Sequence, residues 1–183
     1  LIGNPKAPLR LTMAASLGCS PCKEGFEKAL QLVDIFNGKV CLAIRFKFAG
    51  KNNGSSSTNP GQYFLRYWLE HIHGNTEAPE STKKLIKDWY GLSNFQKFMA
   101  KYPLINGSNE KIADSLISQH MVWFERSGIK ATPTFYVNGF ELPKHYRFKD
   151  LKGLMPGLTN FLKNMKMENK REEFVPIRPG QRG

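Results

Sequence analysis

Long apolar runs, acidic side chains and cysteine are all in short supply in this 183-residue chain. No run approaches the roughly eighteen residues of a membrane span, and no signal peptide is visible. Leu1 is not an initiator methionine, so the chain reads as a processed product or a piece of something longer, whose upstream segment could hold a leader or an anchor. Fifteen acidic residues face 27 lysines and arginines, a net charge of +12. A nucleic-acid-binding signature is missing, so nucleic acid is not the expected partner. Attraction to an anionic membrane surface or to acidic substrates fits the charge equally well. Histidine offers no metal site: none of the four forms an H-x3–5-H pair, and His71-Ile72-His73 has the wrong spacing to converge from one helix face. There is one C-x-x-C and no second, and Cys41 stands alone, so zinc lacks ligands and no metal is expected. No internal repeat is present. The length fits one domain with a large insertion and a sizeable core.

What the chain does have is concentrated at Gly18-Cys19-Ser20-Pro21-Cys22-Lys23. The preceding run, Leu9 to Ala15, reads as a strand; from Pro21 onward Phe26, Ala29, Leu30 and Val33 recur at helical spacing. Proline favours the first turn of a helix. Cys19 is therefore expected at or just before the helix start, with Cys22 in its first turn. A thiol there faces unpaired amides and the positive end of the helix dipole, which favour thiolate over thiol. Lys23 adds a positive charge. Cys19, the more exposed, is the expected attacking sulfur and Cys22 the resolving one. A purely structural disulfide normally staples distant segments rather than one helical turn.

The rest of the chain alternates in kind. Gly3 to Pro8 is a turn-rich lead-in whose two prolines resist helix and central strand. The first helix is expected to end near Asn37-Gly38. Residues 39–48 alternate, with Val40, Leu42, Ile44, Phe46 and Phe48 on one face and Cys41 and Ala43 on the other, as in a parallel strand inside a sheet. Cys41 reads as a small buried hydrophobe. A Gly/Asn/Ser loop follows over 50–61. The period then turns helical: Tyr63, Phe64, Tyr67, Trp68 and Ile72; a second helix opened by Pro79 with Leu85, Ile86 and Trp89; a third from Leu92 to Tyr102; a fourth from Ser108 to Ser127. His120, on an apolar face, reads as packing. Thr132 to Val137 and Phe140 to Leu142 are strands joined by Asn138-Gly139, a hairpin turn. A last helical stripe runs from Leu151 to Met165, with a kink or short break expected at Pro156-Gly157. The polar remainder, 167–183, is expected to be extended or disordered.

Strand-helix-strand, a helical block, then strand-strand-helix, with C-x-x-C at the first helix, is the order of a thioredoxin-like α/β fold. Within it, Gly3 to Pro8, Cys19-Ser20-Pro21-Cys22 and Gly128-Ile129-Lys130-Ala131-Thr132-Pro133-Thr134-Phe135-Tyr136-Val137-Asn138-Gly139 resemble DsbA-family thiol–disulfide oxidoreductases. The resemblance implies a domain over 1–166 with an insertion of about four helices at 58–128. Leu142-Pro143-Lys144-His145-Tyr146 to Asp150-Leu151 is also similar to thioredoxin-like domains fused to bacterial vitamin K epoxide reductase homologues. The family resemblance implies a cis Pro133 lying against the disulfide, with the backbone of Thr132 left to pair with an extended substrate. It implies no metal or organic cofactor, protein thiols and disulfides as substrates, and an extracytoplasmic setting, the bacterial periplasm. The fusion-like match implies a membrane quinone-reducing partner and a tether through an upstream segment. Oligomeric state is not legible.

Two departures from the family pattern bear on the chemistry. Met13 stands where thioredoxin has a buried aspartate, and the first strand carries no carboxylate, so the proton for Cys22 has to come from water or elsewhere; Glu24 is the nearest acid by sequence. The dipeptide between the cysteines, Ser20-Pro21, lacks the histidine of strongly oxidising DsbA. Two other functions are compatible with the fold: a kappa-type glutathione-dependent transferase or isomerase, which does not need Cys22, and a redox-silent module that binds a partner through its aromatic helices. For an oxidoreductase, the expected potential lies between about −120 mV for DsbA and about −270 mV for thioredoxin. Equilibration with glutathione, read by alkylation of Cys19, measures it; a value as high as DsbA's contradicts this reading of Ser20-Pro21.

Overall fold

Alternation in the first long strand decides which face of the sheet is core. The computed structural model describes residues 1–48, 59–92, 94–105, 109–143 and 148–164. In β2 (Leu9–Ser16) Leu9, Leu11, Met13 and Ala15 are almost fully buried, while Arg10 is exposed and Thr12 half-buried. α1 (Ser20–Ile35) then crosses over the sheet to β3 (Val40–Lys47), which pairs in parallel with β2, Leu9 opposite Val40 through Ser16 opposite Lys47. β4 (Thr134–Val137) lies antiparallel on the other side of β2, and β5 (Phe140–Glu141) returns beside β4. With β1 (Ile2–Gly3) the five-stranded order is β1-β3-β2-β4-β5, a mixed sheet with β2 at its centre. The architecture is the expected thioredoxin-like α/β fold.

β1 is a difference from the sequence reading, which had only turns in the lead-in. Two residues are too few for a periodic signal, and the strand exists because Gly3 can sit at φ +86° against β3. A Cβ there would fall 2.8 Å from Val33 Cγ1, so only glycine lets this edge close down. The turn after it is real: Asn4 Oδ1 accepts from the Lys6 amide at 2.9 Å.

Between β3 and β4 the described residues form four helices, α2 (Pro60–His71), α3 (Ala78–Gly91), α4 (Phe95–Lys101) and α5 (Glu110–Ser127). Asn59 caps α2, accepting from Gly61 and Gln62 amides, with Pro60 next, where its missing amide costs nothing. The expected third helix is shorter than its apolar stripe. Leu92 belongs to the end of α3, and Asn94 starts α4 by accepting from the Lys97 amide at 2.9 Å. Inside the block, Phe64, Trp89 and Phe98 stack edge and face at centroid distances of 4.6 to 6.0 Å. α6 (Phe148–Asn164) continues through Pro156 as one helix, so the short break expected at Pro156-Gly157 does not occur. Pro156 and Lys152, whose carbonyl loses its amide partner, are both exposed, so the lost helix bond lies on the solvent side rather than in the core. Residues 50–58 of the expected loop, Lys144 to Tyr146, Met165 and the 167–183 tail lie outside the described residues.

The back of the sheet explains His120. α5 covers Ala14 and Tyr136 with Trp123 and Phe124, and the Arg45 guanidinium lies over the Trp123 ring at 5.8 Å. β1 is too short to reach the end of β3, so the Phe46 amide has no strand partner there. His120 Nδ1 accepts it at 3.0 Å. Burial, reinforced by the charge of Arg45, pushes the imidazole pKa down to about 4. An imidazole neutral in the fold but protonated in the unfolded chain stabilises the protein above pH 6.5 and loses that contribution as pH falls toward 4. The loss amounts to about 3 kcal/mol on the scale of 1.36 kcal/mol per unit. Urea unfolding at pH 7 and pH 4.5 should show it, and His120→Asn, which keeps an acceptor for Phe46 but does not titrate, should flatten the difference.

Candidate active site

Cys19 takes the N-cap position of α1, with extended backbone (φ −94°, ψ 108°), and Ser20, Pro21 and Cys22 form the first turn. The two sulfurs, whose Cα atoms are 5.3 Å apart, are joined in a disulfide. Burial separates the two sulfurs. Cys22 is fully buried, whereas Cys19 is partly exposed beside an exposed Ser20-Pro21. An incoming thiolate therefore reaches Cys19 and not Cys22. The Cys22 amide donates to the Cys19 carbonyl at 3.1 Å and the Cys19 amide to the Ser16 carbonyl at 3.2 Å, which locks the turn into the helix. The first turn carries no acid, so no side-chain charge in that turn opposes the dipole that favours a Cys19 thiolate.

The second half of the site comes from the segment before β4. The Thr132–Pro133 peptide bond is cis, and the Thr132 carbonyl oxygen lies 3.4 Å from Cys19 Sγ. Thr134 Oγ1 donates to the Ala131 carbonyl at 2.7 Å and ties the bend together. All the residues singled out from the sequence, Cys19, Ser20, Pro21, Cys22, Thr132 and Pro133, are thus brought to one place across 113 positions of chain.

Gly25, which the sequence reading passed over, sets how closely the halves approach. A Cβ built on it meets Pro133 Cγ and Phe135 Cζ at 3.2 Å and Met13 Cε at 3.4 Å. A glycine in mid-helix weakens the helix, and that is the sequence signal that could have marked it. Met13, fully buried, fills the place where a carboxylate was missed. Glu24 does not replace it: its carboxylate bonds Lys28 at 2.5 Å on the exposed surface of α1, and that hydrogen bond lowers its pKa. Cys41 is 2% exposed on β3, and burial pushes its thiol pKa up, so it stays protonated and out of reach.

Comparisons with known proteins place the chain in a family and a fold. The family model described as Thioredoxin matches residues 1–155. Three solved structures share the fold at low identity. A periplasmic thioredoxin-like protein from Salmonella enterica serovar Typhimurium is 15% identical, with TM-score 0.63 over 87% of this chain and 88% of its own. Oxidised BdbD from Bacillus subtilis is 15% identical, with TM-score 0.62 over 87% and 91%. DsbA from Chlamydia trachomatis is 17% identical, with TM-score 0.58 over 87% and 91%. No curated protein matches the chain.

Alanine in place of glycine normally stabilises a helix interior by about 1 kcal/mol. At Gly25 the sign should reverse, because Pro133 and Phe135 are fixed by the strand that follows and cannot withdraw. Thermal unfolding of oxidised Gly25→Ala should show a lower midpoint than wild type; a higher one would mean the segment yields.

Proposed function

The chain belongs to the thioredoxin family, and we propose that it is a thiol–disulfide oxidoreductase that exchanges disulfides with protein substrates through Cys19 and Cys22. The observation that carries this reading is a disulfide at a helix N-terminus with its exposed sulfur 3.4 Å from the Thr132 carbonyl, next to a cis proline. A substrate thiolate attacks Cys19 Sγ, the bond to Cys22 breaks, and Cys22 leaves as a thiolate that takes a proton from water. A second substrate thiolate then attacks the substrate sulfur of the mixed disulfide and expels the Cys19 thiolate. Two electrons pass from the substrate dithiol to the pair. The reverse sequence reduces a substrate disulfide, with Cys22 closing the cycle on Cys19. Since the electron pair resides in the sulfurs, no metal or organic cofactor takes part. The backbone of Thr132 faces the approach to Cys19, where an extended substrate segment pairs with it as an added strand.

An extracytoplasmic setting fits the Salmonella neighbour, a periplasmic protein by its description. No helix among the described residues is long and apolar enough to cross a membrane. The narrower likeness around Leu142 to Leu151 supports a membrane quinone-reducing domain as the electron partner. A kappa-type transferase is disfavoured by Cys22, which that chemistry does not need and which is here bonded to Cys19. Insulin reduction by dithiothreitol separates the enzyme from a redox-silent binding module. Wild type should accelerate it, Cys19→Ser should fall to the background rate, and Cys22→Ser should accumulate a mixed disulfide. Equal rates for wild type and Cys19→Ser would leave partner binding as the better account.

A further inference from the structure

Two consecutive residues at the end of α3 reach out of the helical block to the turn that carries Cys19. The Trp89 indole N–H donates to the Leu17 carbonyl at 2.8 Å, and the Tyr90 hydroxyl donates to the Ser16 carbonyl at 3.0 Å. Ser16 also accepts from the Cys19 amide, so the phenol holds the very carbonyl that orients Cys19. Trp89 is wedged among Phe64, Phe95 and Phe98, and the indole cannot follow a loop that moves. Burial raises the Tyr90 phenol far above its usual pKa, so it remains a donor.

The electrostatic sense of these bonds matters as much as their grip. A carbonyl oxygen is the negative end of a dipole, and one left unpaired near Cys19 disfavours a thiolate. A donor on that oxygen draws its charge away. The charged residues nearest Cys19 along the two site segments are Lys23 and Glu24 on α1 and Lys130 before the Thr132–Pro133 bond, and in the reduced protein the Cys22 thiol lies beside it; Tyr90 reaches the turn from α3 as a phenol.

We propose that Trp89 and Tyr90 are positioning residues for thiol–disulfide exchange: by holding the Ser16 and Leu17 carbonyls they keep Cys19 at the end of α1 and favour its thiolate. The inserted helical block thereby tunes the redox pair through the turn that carries Cys19. This rests on the assignment of Cys19 as the attacking sulfur.

The test is the pH dependence of iodoacetamide alkylation at Cys19 in the reduced full chain, for wild type, Tyr90→Phe and Trp89→Phe. Tyr63→Phe is the control, because it too loses a hydroxyl bond to a backbone carbonyl (Tyr102, 2.9 Å) within the same block but away from the site. Losing part of a helix-end interaction should cut Cys19 reactivity at neutral pH about two- to fivefold in Tyr90→Phe and Trp89→Phe. Their alkylation midpoints should move up, while Tyr63→Phe keeps the wild-type midpoint. Unchanged midpoints in both site variants overturn the proposal, and so does an equal shift in Tyr63→Phe, which would mean general softening of the block. Glutathione exchange by wild type is read in parallel. If it fails while the alkylation shift persists, the oxidoreductase assignment falls and the positioning role stands.

Discussion

One close approach organises the molecule: the first two turns of α1 resting on the bend before β4. Helix and bend can meet because Gly25 presents no side chain to Pro133 and Phe135. That contact brings the exposed sulfur of Cys19 beside the Thr132 carbonyl. It also buries Cys22 against the core while leaving its partner accessible. The asymmetry between the two sulfurs, on which the proposed order of attack and resolution depends, is a packing result. The thiols themselves are chemically alike.

The electrostatics of the site are supplied by backbone more than by side chains. Met13 fills the buried position on β2, near Gly25, where a carboxylate could have relayed a proton, and Glu24 is paired with Lys28 at the surface. What remains is the helix end, the carbonyls of Ser16, Leu17 and Thr132, and solvent. Fixed dipoles at close range discriminate thiolate from thiol with little reorganisation, so small displacements of the Cys19 turn carry chemical weight.

The helical block has its own rigidity. Its ring-on-ring contacts each contribute about 0.5–1.5 kcal/mol beyond area burial. A polar lock joins α3 to the end of α4: the Tyr102 hydroxyl donates to Asp88, with Lys84 and Lys101 also on that carboxylate at 3.0 and 2.7 Å. Burial alone would raise the Asp88 carboxyl, yet the bonds from Lys101, Tyr102 and Lys84 outweigh it and hold it well below the usual range. A block stiffened in this way can anchor the loop ahead of Cys19, which is where the insertion meets the chemistry.

The order of elements, the C-x-x-C at a helix start, the Asn138-Gly139 hairpin and the apolar stripes were all legible in the chain, because each rests on local periodicity or on a residue type with a single backbone habit. The lone cysteine was rightly read as a buried residue and His120 as a satisfied packing residue, from the pattern around them. β1, the Asn94 boundary of α4, the unbroken α6 and the roles of Gly25, Trp89 and Tyr90 were not. Each depends on a neighbour distant in sequence: β3 for Gly3, Pro133 for Gly25, the Ser16 and Leu17 carbonyls for α3, solvent exposure for Pro156. Local chemistry along the chain determined what kind of thiol pair this protein carries. Only the tertiary structure decided which sulfur is reachable and which groups hold it, since burial and hydrogen bonding are relations between segments that the linear order does not contain.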